Sequence, residues 1–570
     1  MRTAFAYLLL ALVPGLLLVG CRVEVGSAPD TSTAPTATPS EATAPAAAPS
    51  ATPVEGAEET PVKGDWIVSS MGAEMPNINP ITSTDAYASL IAAHVFDCLL
   101  QRDPDTLELL PGVAETWEES EDHLTYTFHL REGVVFSDGE PLTAEDVKFT
   151  FDKIKDPTVD AMHMQNYFQY AESCEVVDPR TVRFTCSQPY FQHLLTLGYG
   201  IDIMPKHIYG VGDFNAHDRT PVGSGPYVLE EWDTGNQLVL TRNERYWGGA
   251  IGKTVYLDKK VYKIITDDNA AFLALERGDL DAKGLRSEDW VRRANTPEFN
   301  KRFNKYTYYG PSYGYIGWNT RRPLFEDRRV RRALTMLIDR ETIKKAVYHD
   351  LARIVTGNFA EGTYAHNDAI KPWPFDPDQA LELLREAGWE DSDNDGVLDR
   401  RGMPFRFEIM LTNQHIDGEK ICTLFQEELK RVGIEMRIRQ MEWASMLEMV
   451  DSRTFDAVMM GWAVGPDPDP YQLWHSSQME KGSNYVGFST PEMDEIIERG
   501  RITFDEEERG RMYRRFHEII HEEQPYTFLF SPMALVAYDK RFHGVKMTPF
   551  ERYKPNLDMF VPADLQKYPL

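Results

Sequence analysis

The chain has 570 residues, with 60 Lys and Arg against 89 Asp and Glu, a formal net charge of −29. A field of that sign repels polyphosphates, so nucleic acid is not an expected partner, and five cysteines over this length do not make a disulfide scaffold. With 42% hydrophobic and 11% aromatic residues the composition is globular, and the length calls for two or three cores.

Arg2 precedes an apolar run from Ala4 to Val19, which ends Leu18-Val19-Gly20-Cys21. So short a run behind a positive residue predicts a signal peptide over 1–21 rather than a membrane span, and its last four residues look like a bacterial lipobox. Lipid on Cys21 would hold the mature protein to the bacterial cell membrane, outside the cytoplasm; the plain alternative is a secretory signal with an incidental Cys. Residues 22–64 are punctuated by proline, from Pro29 to Pro61, among Ala, Thr and Ser. Such a stretch cannot bury enough apolar surface to offset its ordering entropy, and predicts a tether reaching on the order of 100 Å.

A strand is expected from Asp65 to Ser70, and alternation in Tyr126, Phe128, Leu130 and Val134 predicts half-buried strands over 124–136. Thr143, with Asp146 three residues on, predicts a capped helix through Val147, Phe149 and Ile154. Cys174 and Cys186 flank a hairpin-like segment and could pair in an oxidising compartment, although a one-residue register change would separate their faces. Cys98 and Cys422 are expected to be buried and inert.

Between 325 and 465 the pattern is clearest. Asp327 is placed to cap a helix carrying Val330, Ala333, Leu334, Leu337 and Ile338, and Asp376-Pro377 opens another that ends at Gly388. Residues 404–411 read as a strand. A helix with Ile421, Leu424, Phe425, Leu429 and Val432 on one face follows, stopped by Gly433; then come a strand with Ile434, Met436 and Ile438, a short helix over 443–450, and a strand from Phe455 to Trp462. That alternation predicts a parallel α/β sheet, in which ligands bind beyond the carboxyl ends of strands. The main binding candidate is therefore the segment from Gly461 to Tyr471, which holds Trp462, Gly465, Asp467 and Asp469; its plain alternative is a proline-fixed turn with solvated acids.

A collinear set of motifs runs through Pro111-Gly112-Val113-Ala114-Glu115-Thr116-Trp117, Tyr126-Thr127-Phe128-His129-Leu130-Arg131, Phe136-Ser137-Asp138-Gly139, Leu142 to Val147, Pro221-Val222-Gly223-Ser224-Gly225-Pro226-Tyr227, Arg242-Asn243 with Tyr246-Trp247, and Asp327 to Arg340. On these the chain, from about 64 to 560, resembles the bacterial extracellular solute-binding proteins of family 5, the peptide, nickel and related receptors of ABC importers. The resemblance implies a periplasmic-binding-protein-like type II fold of the α/β class. Its first lobe would come from 65–95, 196–313 and 531–570, its second from 96–195 and its third from 314–530, with the ligand cleft between the first and third. It further implies an extended peptide bound as an added strand by Thr84-Asp85-Ala86 and Trp462-Ala463-Val464, cleft closure, delivery to a membrane permease by a monomer, and no bond chemistry. Many peptide receptors of the family carry an Asp where this chain has Gly465, so the acid for a ligand's ammonium group would be Asp467 or Asp469. Trp318 and Asn319 are further candidates for the cleft wall, and an oligosaccharide, opine or metal chelate is the alternative cargo.

Two short motifs suggest other chemistry. His517-Glu518-Ile519-Ile520-His521 matches the zinc-protease pattern, which makes a surface zinc peptidase the rival of another class. Asp391, Asp393, Asp395, Val397 through its carbonyl, and Asp399 have the spacing of a calcium loop, but position twelve is Gly402 where a bidentate Glu is expected; no cofactor is required, and Ca²⁺ would be a structural clip.

Overall fold

A computed structural model describes residues 60–570 apart from 84, 166, 414, 548–555, 569 and 570. The segment expected to be a signal peptide, with Cys21, the expected tether up to residue 59, and Thr84 lie outside the described residues. No described helix is long and apolar enough to cross a membrane.

Three sheets organise the chain. The largest has eight strands, in the order Phe303–Tyr309, Phe530–Asp539, Ala282–Gly284, Trp66–Met71, Lys259–Ile264, Gln237–Arg242 and Tyr227–Asp233, with Ala352–Ile354 added to Phe530–Asp539. Trp66–Met71 runs parallel to Lys259–Ile264, whereas Phe530–Asp539 is antiparallel to its neighbours. Alternation divides this sheet cleanly. Val68, Val261, Leu535 and Ala537 point to one face, where they bury Phe272 and Leu275 of the helix Asp268–Arg277. Asp65 ties the start of the sheet to the chain's end: its buried carboxylate pairs with Arg541 and accepts the amides of Lys567 and Tyr568, both at 3.1 Å.

The second sheet has four antiparallel strands, Ala114–Glu119, Thr125–Leu130, Thr181–Cys186 and Ala171–Asp178. The helix Ala144–Lys155 packs on it, and its predicted cap is present: Asp146 accepts the Thr143 amide at 2.8 Å and the Thr143 hydroxyl at 3.0 Å. Cys174 and Cys186 are both free and buried. The ladder sets Cys174 opposite Phe184, and Cys186 opposite Ala171, so the two thiols do not face each other and no disulfide joins them. Gly223 and Gly225 pass against the end of the helix Ala86–Val95, where a Cβ on Gly223 would collide with the carbonyl of Val95 and one on Gly225 with those of His94 and Val95.

The third sheet runs Glu435–Met441, Arg406–Thr412, Ala457–Ala463, Ser312–Trp318, Tyr526–Phe528. The three strands read from the sequence are parallel to one another where they pair, as the strand–helix alternation requires. The helix Ile416–Arg431 makes the first crossover, stopped at Gly433 with φ of 80°, and the helix Trp443–Asp451 makes the second. Asp327 and Asp376 cap their helices through the amides of Arg329 and Gln379. The sheet is nevertheless mixed, because Ser312–Trp318 and Tyr526–Phe528 enter it antiparallel. Ala352–Ile354, which the sequence places with this third body, pairs instead with the large sheet. Two very short crossings join these sheets, one from Tyr309 to Ser312 and one from Phe528 to Phe530.

Candidate functional site

A cavity of about 470 Å³ opens where the large sheet meets the five-stranded one. Leu285, Arg286, Ser287, Pro532 and Met533 line it from the large-sheet side. Ser312, Tyr313, Gly314, His415, Asp417 and the run Met459 to Ala463 line it from the other.

Strand divergence makes the opening. Arg406–Thr412 pairs with Ala457–Ala463 only at Ile409 with Ala457 and Met410 with Val458, then stays beside Glu435–Met441 to its end. Ala457–Ala463 follows Ser312–Trp318 instead, through the pair of Ser312 with Ala463. From Met459 to Ala463 one edge of the strand therefore has no strand neighbour among the described residues.

The direction of each amide on that edge follows from the ladder. Val464 donates its N–H to the Pro311 carbonyl at 2.8 Å. In an antiparallel pair the N–H and C=O of one residue point the same way and alternate along the strand, so Met460 and Trp462 face Ser312–Trp318 while Met459, Gly461 and Ala463 face the open edge. Gly461 and Ala463 are exposed. Of the trio Trp462-Ala463-Val464, only Ala463 thus turns its main chain to the open edge. Gly461, which the sequence reading named only as part of the candidate segment, presents the next set. Trp462 contributes its side chain, half-buried and stacked on Tyr485 with ring centroids 6.1 Å apart. Gly465 is exposed and, with Val464, lies outside the cavity lining.

The helix Ile416–Arg431 begins at the same opening, with the His415 ring accepting the Gly418 amide at 2.8 Å. Its first-turn amides and Arg286 bring positive potential to the cavity, balanced by Asp417. Arg286 is itself held by Asp268 at 3.0 Å and Asp289 at 3.3 Å.

Asp467 and Asp469 do other work than expected. Asp467 Oδ2 is 2.7 Å from Arg102 Nη2, and its carbonyl accepts from Gln192 Nε2 at 2.5 Å. Asp469 Oδ2 accepts from the Tyr190 hydroxyl at 2.8 Å and pairs with Arg501 Nε at 3.0 Å. Burial, then the Asp469 carboxylate, hold the Tyr190 phenol well above its usual range, which keeps it a donor. Both acids therefore tie the turn after Ala457–Ala463 to the region around the four-stranded sheet, and neither lines the cavity as a free ammonium anchor.

Trp318 and Asn319 do not line the cavity either. Trp318 is fully buried, its Nε1 donating to Thr527 Oγ1 at 3.0 Å; Asn319 Nδ2 donates to the carbonyls of Arg453 at 3.1 Å and Phe455 at 2.8 Å. Trp318 pairs with Ala457, at the opposite end of the strand from the open tip and about 20 Å from it. It is the other end of its strand, Ser312 to Gly314, that reaches the cavity. Asp85 caps the helix Ala86–Val95 through the amides of Tyr87 at 2.8 Å and Ala88 at 2.9 Å, and neither Asp85 nor Ala86 lines the cavity.

The zinc-protease motif is a packing element. His517 is fully buried; its Nδ1 accepts the Asn367 amide at 3.2 Å and its Nε2 lies 3.1 Å from Thr356 Oγ1, so both ring nitrogens are engaged. Glu518 is taken by Asn367 and Arg515, and His521 stacks on Trp373 with centroids 5.4 Å apart. Burial, then the neighbouring His366 and His521, push His517 down to about 3, and burial pushes His521 down to about 4. In the calcium-like loop, Asp391, Asp393 and Asp395 bring carboxylate oxygens within 4.8 Å of one another. Asp399 turns Oδ2 to the amide and hydroxyl of Ser392 at 2.9 and 2.7 Å.

Residues 108–484 match the model of the bacterial extracellular solute-binding proteins, family 5. The chain belongs to this family. The oligopeptide-binding protein AppA of Bacillus subtilis (strain 168) is 31% identical over 510 residues, covering 87% of this chain and 90% of AppA. The solved structure of AppA in complex with a nonapeptide superposes with a TM-score of 0.78 at 29% identity, over 88% of this chain and 100% of that one. NikZ from Campylobacter jejuni, in complex with Ni(L-His), gives 0.75 at 25% identity over 88% and 100% of the two chains. Family 5 proteins are extracytoplasmic solute binders rather than enzymes, which sets aside the zinc-peptidase rival independently of the engaged ring nitrogens of His517.

Proposed function

We propose that this family 5 protein captures peptides, adding them in extended form to the open edge at Met459 to Ala463, and that closure of the cleft then presents them to a membrane permease. The observation that carries the reading is the pair of outward-facing main-chain sets at Gly461 and Ala463 on a strand whose neighbour has diverged. Strand addition uses groups common to all peptides, so it binds without demanding a sequence. Arg286 and the nearby helix start suit a ligand carboxylate. The two short crossings at 309–312 and 528–530 are the expected hinge. The peptide complex of AppA supports the cargo, while Ni(L-His) in NikZ marks a metal chelate as the second reading.

Lipid attachment at Cys21, behind a tether, would keep the receptor near its permease at the cell surface. The loop from Asp391 to Asp399 would serve as an accessory calcium clip, supported by its three converging carboxylates.

Native mass spectrometry of the purified protein, before and after partial unfolding, tests the cargo. A retained set of peptides and a smaller radius of gyration on rebinding them are expected. A retained chelate, or no compaction with any peptide pool, would overturn the peptide reading.

A further inference from the structure

A second cavity, of about 570 Å³, shares no lining residue with the cleft cavity. It lies on the opposite face of the large sheet from Phe272, where Ser69, Met71, Lys260, Tyr262, Val536 and Tyr538 alternate outward and the helix Ala86–Val95 covers them with Tyr87, Leu90 and His94. That volume suits a small organic ligand.

The lining charges have partners, with one exception. Arg102 pairs with Asp467 and Lys546 with Asp558, each at 2.7 Å. Asp97 accepts from Trp247 Nε1 at 2.7 Å and Ser224 Oγ at 3.2 Å, Lys253 donates to Gln101, and His94 Nε2 lies 2.9 Å from the Tyr262 hydroxyl. Lys260 is 6% exposed, and its Nζ makes no hydrogen bond or ion pair with a described residue. Its one polar contact is the face of Tyr227, with Nζ 5.1 Å from the ring centroid. This ammonium, on a side chain that is otherwise buried, opens onto the adjoining void, where a carboxylate would pair with it.

We propose that this cavity is a second binding site, which takes a carboxylate carried on an apolar or aromatic body and seats that carboxylate on Lys260. The walls from Tyr262, Tyr308, Tyr538 and Leu90 suit the body. A single ammonium matches a monoanion better than a phosphate. Burial alone lowers Lys260 to about 8, so an entering carboxylate would draw a proton onto it in mildly alkaline solution. The acid could be a free aromatic acid or the C-terminal residue of a peptide. The proposal does not rest on peptide capture in the cleft.

The test is calorimetric titration of the full chain with phenylacetate, with the neutral phenylacetamide, and with the dipeptide Ala-Phe and its C-terminal amide. Each is run near pH 8 in two buffers of different ionisation enthalpy. The acids are expected to bind at least about tenfold more tightly than their amides, with proton uptake seen as a buffer-dependent heat. Lys260→Met should remove both signals while cleft binding of longer peptides stays unchanged. Lys260→Gln serves if the first variant does not fold. Binding of Ala-Phe through Lys260 without phenylacetate would identify the source as a peptide end, and the reverse a free acid. Equal binding in wild type and variants, or no preference for acid over amide, overturns the proposal. Absence of cleft peptides in the purified protein would not touch it.

Discussion

Asp469 Oδ2 lies 3.0 Å from Arg501 Nε, and both side chains are about nine-tenths buried. The guanidinium also sits over the rings of Tyr170, Tyr190 and Tyr471, at 4.8, 4.6 and 4.2 Å. An acid whose sequence position suggested a ligand's ammonium group is instead the counter-ion of an internal arginine. Asp469→Asn should cost about 3 kcal/mol, because it leaves a buried cation with half its partner gone. Urea unfolding of the variant checks this. A loss confined to peptide affinity, with stability unchanged, would return Asp469 to the ligand.

Ala463→Pro removes one N–H from the open edge without touching the ladder to Ser312–Trp318, whose bonds come from Trp462 and Val464. Peptide affinity should fall about tenfold to a hundredfold, the effect of one lost buried hydrogen bond, while the folded protein remains. Titration calorimetry with a peptide mixture measures it. Trp462→Ala should alter which peptides are preferred more than how tightly the pool as a whole is held.

The histidine pair sets a pH dependence. His517 and His521 titrate near 3 and 4 in the folded protein, against about 6.5 when unfolded. Below pH 6.5 the unfolded chain therefore binds more protons, so stability is fully present above that pH and is lost as pH falls toward 4. His517→Gln should flatten the fall of the unfolding midpoint between about pH 6.5 and 4.5, where the unfolded histidine is protonated and the folded one is not. An unchanged slope would assign it to carboxylates.

Calcium should raise the thermal midpoint by mass action on the Asp391–Asp399 loop, and Asp393→Asn should remove that rise. The gain is expected at high micromolar to millimolar calcium, since Gly402 supplies no bidentate ligand. No shift in wild type would identify the loop as a plain turn.

Local chemistry determined much of this protein from its sequence. The caps at Thr143, Asp327 and Asp376, the stop at Gly433 and the alternating strands all depend on neighbours a few residues apart, so their patterns survive in one dimension. The same alternation put the candidate tip at the end of Ala457–Ala463, where the cavity opens. Only the tertiary structure decided which strands would lie on each side of that tip. Ser312–Trp318 enters antiparallel, which carries Trp318 to the far end and brings Tyr313 and Gly314 to the cavity. The partners of Asp467 and Asp469 are hundreds of residues away for Arg102 and Tyr190, and no periodicity encodes such pairings. His517-Glu518-His521 shows the same limit: the spacing aligns the rings on one helix face, but what that face packs against, here Thr356, Asn367 and Trp373, sets their chemistry.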